Sequence, residues 1–274
     1  MGSIVSLEQQ RFKEHIIIVE NLVTYFGDRR ILDEINVRVR KGEVLVVLGG
    51  SGCGKTTLLR HMIGLLQPRS GHIYIQGHDI TQLGEDGLNG IRKKMGMLFQ
   101  GAALFNSMTL GDNVALPLRE HTKLAESTIR IMCRIKLGLV GLTGFDNFKP
   151  AQLSGGMKKR AGLARALSMD PEVLFFDEPS AGLDPIIAAE IDQLILKLKR
   201  AFKMTMVVVT HELPSAFLIA DRIMMLDEGK VIALGTPDEI RANPHPRVQQ
   251  FLQREPNTEV QDDDKYLQLI TGRQ

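Results

Sequence analysis

Cysteine is scarce: the 274 residues contain two, Cys53 and Cys133, too few for a disulfide framework. Long apolar runs are missing too. Without a stretch of about 18 consecutive apolar residues, no segment reads as a membrane-spanning helix. Net charge is nearly nil, because 34 Lys+Arg against 32 Asp+Glu leave +2. That balance argues against a nucleic-acid partner. The seven histidines form no HExxH pair and no Cys/His cluster, which argues against a structural zinc. Residues 1–14, an N-terminal extension carrying Glu8, Arg11, Lys13 and Glu14, lack the apolar core of a secretion signal, and a cytoplasmic location is expected. What is present, 43% hydrophobic and 24% charged residues, is the make-up of an ordinary globular protein. A chain of this length buries a full core as one large or two small domains.

The strongest local signal is Gly49-Gly50-Ser51-Gly52-Cys53-Gly54-Lys55-Thr56-Thr57. It follows the apolar run Val44–Leu48 and precedes Leu58–Ile63, giving strand, glycine-rich turn and helix start in the order that the phosphate-binding pattern GxxxxGK[ST] requires. Glycines bring backbone N–H groups against a phosphate chain, and the helix start adds free donors and partial positive charge. Lys55 then neutralises the outer phosphates, and Thr56 offers a hydroxyl to Mg²⁺. The competing reading is a glycine-rich turn with a chance lysine. Cys53 has two readings of its own: a thiol activated by the helix N-terminus, or a small side chain turned away from the phosphates.

Along the chain, His15–Val19 and Ile31–Val39 read as strands around the turn Gly27–Arg30. Phe26 or its neighbour Tyr25 stands where an aromatic ring can stack on adenine, although an ordinary strand aromatic reads the same. Gly71–Ile75 reads as a strand, Gly77–Asp79 as a turn, and Met95–Phe99 as a short strand that delivers Gln100. From residue 101 to about 165 strand signals fade and helical periodicity appears, notably over Ser127–Leu139, predicting a helical insertion. Val173–Phe176 is a continuous apolar run ending in Asp177 and Glu178, two carboxylates that packing does not explain but magnesium and phosphate do. Pro185–Phe202 is an expected helix with Asp184 at its start, followed by a strand over Met204–Val209 ending at Thr210-His211-Glu212 and a last strand over Val231–Leu234. Gly235–Glu239 predicts a capped helix start, and Val248–Leu252 follows a stiff turn. The tail, residues 254–274, is either a disordered end or an arm docking Tyr266, Leu267 and Ile270 on a partner subunit.

A second phosphate-binding device lies at Ser154-Gly155-Gly156-Met157, where a natural N-cap and two glycines open an expected amphipathic helix carrying Lys158, Lys159, Arg160 and Arg165. One nucleotide rarely needs both devices. A homodimer, each copy closing its signature on the other's loop, uses both.

With these motifs in this order, the chain resembles the ATP-binding-cassette (ABC) ATPases from about Ile16 to Leu252. Gly49–Thr57 resembles the Walker A motif, Gln100 the Q-loop, Leu153–Met157 the LSGGQ signature, Val173–Glu178 Walker B, Ser180–Asp184 the D-loop, and His211 the switch histidine. The resemblance implies an α/β fold, with a RecA-like P-loop core on a mostly parallel sheet, an N-terminal antiparallel β part and an inserted helical subdomain, within residues 15–253. It also implies ATP as nucleotide, Mg²⁺ placed by Thr56, Gln100 and Asp177, an attacking water polarised by Glu178, and a γ-phosphate contact from His211, for which a satisfied strand-end histidine is the plain alternative. Met157 departs from the usual glutamine. Because the donors there are mainly backbone, phosphate binding is expected to survive the change.

The stretch after Gln100, Gly101–Thr109 and then Asp112–Thr122, is similar to the ATPases of MCE-type phospholipid transporters, as is Asn243–Leu252. That resemblance implies a homodimer beneath an MlaE-like integral-membrane permease at the inner membrane, an MCE protein of the MlaD type on the far side, and in many relatives an MlaB-like STAS-domain protein. Arg119, Glu120 and His121 also read as a plain solvated face. ATPases for another cargo and non-transport ABC proteins are the alternatives; the latter usually carry two cassettes or a coiled-coil insertion.

Overall fold

The computed structural model describes residues 7–256, so the tail carrying Tyr266, Leu267 and Ile270 lies outside the described residues. A helix, α1 (Leu7–Glu14), leads into two long strands, β1 (His15–Phe26) and β2 (Arg29–Arg40), joined by a turn at Gly27 and Asp28. β3 (Val44–Gly49) runs into the glycine loop and α2 (Lys55–Met62). Next come β4 (Ser70–Ile75), the two-residue β5 (His78–Asp79), α3 (Glu85–Arg92) and β6 (Met95–Leu98). The insertion is α4 (Leu110–His121), α5 (Glu126–Leu139), a short 3-10 turn at Pro150–Gln152 and α6 (Gly155–Ala166). The remainder is β7 (Val173–Asp177), α7 (Pro185–Phe202), β8 (Thr205–Thr210), α8 (Leu213–Ile219), β9 (Arg222–Asp227), β10 (Lys230–Gly235), α9 (Pro237–Arg241) and α10 (Pro246–Gln253).

Two sheets organise these elements. The larger has the order β10-β9-β3-β8-β7-β6, parallel throughout except for the antiparallel β9–β10 pair. The smaller is antiparallel, in the order β2-β1-β4-β5. Every residue of β3, β7 and β8 is buried. Continuous Val/Leu/Phe runs are what a parallel strand covered on both faces requires. Alternate residues of β3 serve different cores: Val44, Val46 and Leu48 pack with the helices of the insertion, whereas Leu45 and Val47 pack with α2 and the antiparallel sheet. The sheet is thus clamped between two apolar layers, and its C-terminal strand ends are held at fixed heights.

Among the local differences between structure and expectation, three bear on the architecture around the site. β9, with the core residues Ile223–Leu226, was not anticipated; it inserts beside β3 and closes one flank of the loop. The turn expected at Gly77–Asp79 tightens to Gln76 and Gly77, and His78–Asp79 form the small strand β5 paired with β4. The helix α6 is not amphipathic but largely buried, with Gly156, Lys159, Ala161, Gly162, Leu163 and Ala164 all covered. Among the described residues no helix is long and apolar enough to cross a membrane.

Candidate active site

The C-terminal ends of β3, β6, β7 and β8 converge on a cleft of about 980 Å³. Strand ends are where an open parallel sheet leaves room for a ligand. The loop between β3 and α2 forms its floor through Gly49–Gly52 and Gly54–Thr57. Two glycines there have specific reasons. A Cβ on Gly49 would lie 2.2 Å from the Leu226 carbonyl oxygen, so only glycine lets the loop pass β9. Gly54, the N-cap of α2, adopts φ +104°, a left-handed conformation that other residues take at a cost. Lys55 is buried, and its ammonium donates to the carbonyls of Gly49 and Gly50 at 2.9 and 2.8 Å.

Opposite the loop, β7 brings in its two carboxylates. Asp177 accepts a hydrogen bond from the Thr56 hydroxyl at 3.0 Å, joining the start of α2 to the end of β7. Burial pushes the Asp177 carboxyl above the usual carboxylate range, while the Thr56 bond pulls it back. Hydroxyl, carboxylate and the exposed amide of Gln100 are hard oxygen donors, a set that suits Mg²⁺ better than zinc. Among the described residues no three His, Cys, Asp or Glu side chains converge to form a metal cage. Magnesium needs none, because it binds through one or two carboxylates plus phosphates and waters.

Glu178 stands one residue further on, at φ +49°. Left-handed backbone costs a residue with a Cβ roughly 1–2 kcal/mol, and Pro179 restricts it further. The surroundings hold it there: its N–H donates to the Val209 carbonyl at 2.9 Å, and its carbonyl accepts from the Lys159 ammonium at 2.9 Å and the Ala181 N–H at 3.2 Å. The Glu178 carboxylate is directed at the switch position. His211 Nδ1 lies 2.9 Å from Glu178 Oε2, a close contact whose alignment falls short of a hydrogen bond.

Phe26, at the end of β1, lines the cleft and is half exposed. Tyr25 does not line it: its hydroxyl accepts from Arg30 Nε at 2.8 Å, and the Arg30 guanidinium lies 5.5 Å from its ring. Between the two aromatics the geometry favours Phe26. Cys53 also separates from its neighbours. Its side chain is 6% exposed and belongs to the core beneath the loop, it is absent from the cleft wall, and burial raises its thiol pKa. The activated-thiol reading is therefore corrected: desolvation outweighs the nearby Lys55 ammonium.

Ser154, Gly155, Gly156 and Met157 lie outside this cleft, as does Asp184. Ser154 caps α6 by accepting from the Met157 N–H at 3.3 Å, and Asp184 caps α7 by accepting from Ile186 and Ile187 at 3.1 Å. The two helix starts are packed together: a Cβ on Gly156 would meet Ile187 Cγ2 at 2.5 Å. Three basic residues of α6 are engaged within the chain itself. Arg165 donates to the Ala103 and Ala102 carbonyls at 2.7 and 3.1 Å, Arg160 to the Val140 carbonyl and Glu190, and Lys159 to Glu178. Ala102 and Ala103 both have positive φ just after Gln100, so Arg165 braces a strained segment. Sequence reasoning did not anticipate this bracing; cations interrupting a run of small buried residues were the available signal. It also missed Arg29 and the α10 residues Arg247, Gln250 and Phe251 in the cleft wall, where Arg247 grips Asp227 at 2.9 and 3.1 Å.

A family model described as "ABC transporter" matches residues 32–181. The chain belongs to the ABC transporter family. Among curated relatives it is 45% identical to the intermembrane phospholipid transport system ATP-binding protein MlaF of Haemophilus influenzae, over 88% of this chain and 92% of that one. Its Escherichia coli counterpart is 44% identical over 82% and 84%. The probable ribonucleotide transport ATP-binding protein mkl of Mycobacterium bovis is also 44% identical, over 86% of this chain and 66% of its own. Two solved structures share the ABC fold. A dimeric, post-hydrolysis state of the ATP-binding cassette MJ0796 bound to ADP and Pi has TM-score 0.75, 32% identity and coverage of 81% and 98%. cbiO1 from Clostridium perfringens, part of the ABC transporter complex cbiONQ, has TM-score 0.78, 31% identity and coverage of 93% and 99%.

Proposed function

We propose that this ABC protein is the ATP-hydrolysing subunit of a bacterial phospholipid transporter, acting on Mg·ATP as a homodimer bound to the cytoplasmic side of the inner membrane. The observation that carries the catalytic part is the line Thr56–Asp177–Glu178–His211, four residues in which contacts of 3.0 and 2.9 Å join Thr56 to Asp177 and Glu178 to His211 beside a glycine loop shaped for phosphates. Thr56, Asp177 and Gln100 would hold a magnesium ion, which would supply charge neutralisation on the phosphates. Lys55 moves from the loop carbonyls to the outer phosphates. Phe26 offers its exposed ring to adenine. Glu178 accepts a hydrogen bond from the attacking water, orienting it toward the γ-phosphorus and taking up positive charge as the O–H bond weakens. His211, next to it, steadies the γ-phosphate oxygens.

The cleft contains no signature residue, which supports a composite site in which Ser154–Met157 of each copy covers the nucleotide held by its partner. Two MlaF relatives at 44–45% identity over most of both chains support phospholipid as cargo. The partners that go with this reading are an MlaE-like permease, an MCE protein and an MlaB-like STAS protein. The mkl relative at 44% supports a second reading, the same engine with a different cargo. Reconstitution of the chain with its co-purifying permease in proteoliposomes tests both. ATP-dependent transfer of a fluorescent phospholipid to acceptor vesicles supports the first; ATPase activity without lipid transfer supports the second.

A further inference from the structure

The α6 helix sends one side chain into the region behind the catalytic carboxylate. Lys159 is 5% exposed, although lysine is among the residues least often buried. A buried ammonium requires acceptors, and this one donates to the backbone carbonyl of Glu178 at 2.9 Å. Burial lowers its pKa below the ordinary lysine value, an effect that the nearby Glu178, Asp177 and Glu212 offset only in part. The carbonyl it grips belongs to a residue with φ +49° that precedes proline, a conformation that does not hold itself. Rotation of that peptide would swing the Glu178 side chain away from His211. The Arg160 and Arg165 bonds pin the same helix to Val140 and to Ala102–Ala103, so Lys159 projects from a fixed base.

We propose that Lys159 is a positioning residue for hydrolysis: by holding the Glu178 carbonyl it fixes the left-handed peptide that aims the Glu178 carboxylate at the attacking water. The inference rests on the ATPase reading above and adds to it a residue that touches neither nucleotide nor metal. It also joins each cleft to the helix whose N-cap, Ser154, serves the partner's nucleotide in that reading.

The test uses the full chain with Mg·ATP. Lys159→Met, of similar length but without a donor, should lower kcat roughly 10–100-fold, as small misplacements of reacting groups do. KM and the directly titrated affinity for ATP should stay within about twofold. Lys159→Arg, which keeps a charged donor, should recover most of the rate. In a Glu178→Gln background Lys159→Met should cause no additional loss, because its effect passes through that carboxylate. Lys159→Gln, too short to reach the carbonyl, carries the same expectation as the methionine variant should that one fail to fold. Wild-type turnover in Lys159→Met, a matching fall in ATP affinity, or an equal further loss in the Glu178→Gln background would overturn the proposal. Normal turnover of Glu178→Gln alone would instead overturn the reading on which the proposal rests.

Discussion

At the residue scale the cleft assigns unequal tasks to side chains that look alike in the sequence. Asp177 and Glu178 are adjacent carboxylates, yet one bonds the Thr56 hydroxyl and the other, turned by a left-handed backbone, meets His211. Replacing Glu178 by Gln keeps the shape and removes the proton acceptor; hydrolysis should slow roughly 10²–10⁴-fold while ATP affinity, measured by calorimetry, is retained. Phe26 and Tyr25 divide in the same way. Phe26→Ala should raise KM for ATP roughly 3–10-fold, the equivalent of a lost stacking contact, whereas Tyr25→Ala, which removes one acceptor from a surface Arg30 that keeps its pairing with Asp33, should leave it near wild type. His61 illustrates a polar group whose role is structural. Its Nδ1 lies 2.9 Å from the Leu66 carbonyl and therefore carries the proton, so Nε2 accepts from Thr24 Oγ1 at 2.7 Å. Burial lowers its pKa below 6.5. Above pH 6.5 the imidazole is neutral folded and unfolded, and its contribution is fully present. As pH falls below that value the unfolded chain takes the proton first, so stability is lost on acidification. Denaturant titrations between pH 7 and 5 should show a decline that is shallower in His61→Gln, by up to about 1.4 kcal/mol per pH unit.

At the element scale, what the sequence makes legible depends on whether a segment's partners are local. β3, β7 and β8 are evident because strands covered on both faces must be apolar throughout, and α7 because Asp184-Pro185 caps it and its stripe follows the helical period. The phosphate loop is readable for the same reason: strand, turn and helix are contiguous. β9 escapes because Ile223-Met224-Met225-Leu226 is methionine-rich, a composition that suits a helix as well as a strand, and only pairing with β3 decides it. The basic residues of α6 mislead because charge normally marks a solvated face, whereas Lys159 and Arg165 point inward to carbonyls brought close by the fold. The α10 wall of the cleft is likewise a long-range product, fixed by the Arg247–Asp227 pair. Packing of α6 against β6 yields an element-level prediction. A Cβ on Gly96 would sit 2.3 Å from the Ala166 carbonyl oxygen and 2.6 Å from Leu174 Cδ2, and the first of these is backbone, which yields only if the helix end shifts. Gly96→Ala should therefore cost about 1–3 kcal/mol in thermal or denaturant unfolding. Because β6 also delivers Gln100, its ATPase rate should fall even at temperatures where the variant remains folded.

At the scale of the whole molecule the arrangement is asymmetric: one face carries a nearly complete catalytic cleft, and the signature lies elsewhere with its helix start open to a ligand it does not share with its own loop. A chain that binds and hydrolyses ATP alone has no need of that second device. A two-fold dimer gives it a role, because an isologous pairing that brings the signature of one copy to the loop of the other does so twice. In such a dimer nucleotide would act as the adhesive between copies, and hydrolysis would release it. Trapping should follow: full-length Glu178→Gln with Mg·ATP should double its mass in sedimentation or light scattering and return to the single-chain mass with ADP. Adding Ser154→Arg should block the doubling while leaving ATP bound to each separate chain, since the loop and Phe26 are untouched. Mixing Lys55→Ala with Ser154→Arg chains sharpens the test. Each is inactive in both composite sites of its own dimer, but a mixed pair retains one intact loop facing one intact signature. ATP-dependent pairing of the mixture, absent from either variant alone, is expected. Equal behaviour of mixture and single variants would mean that loop and signature act within one chain.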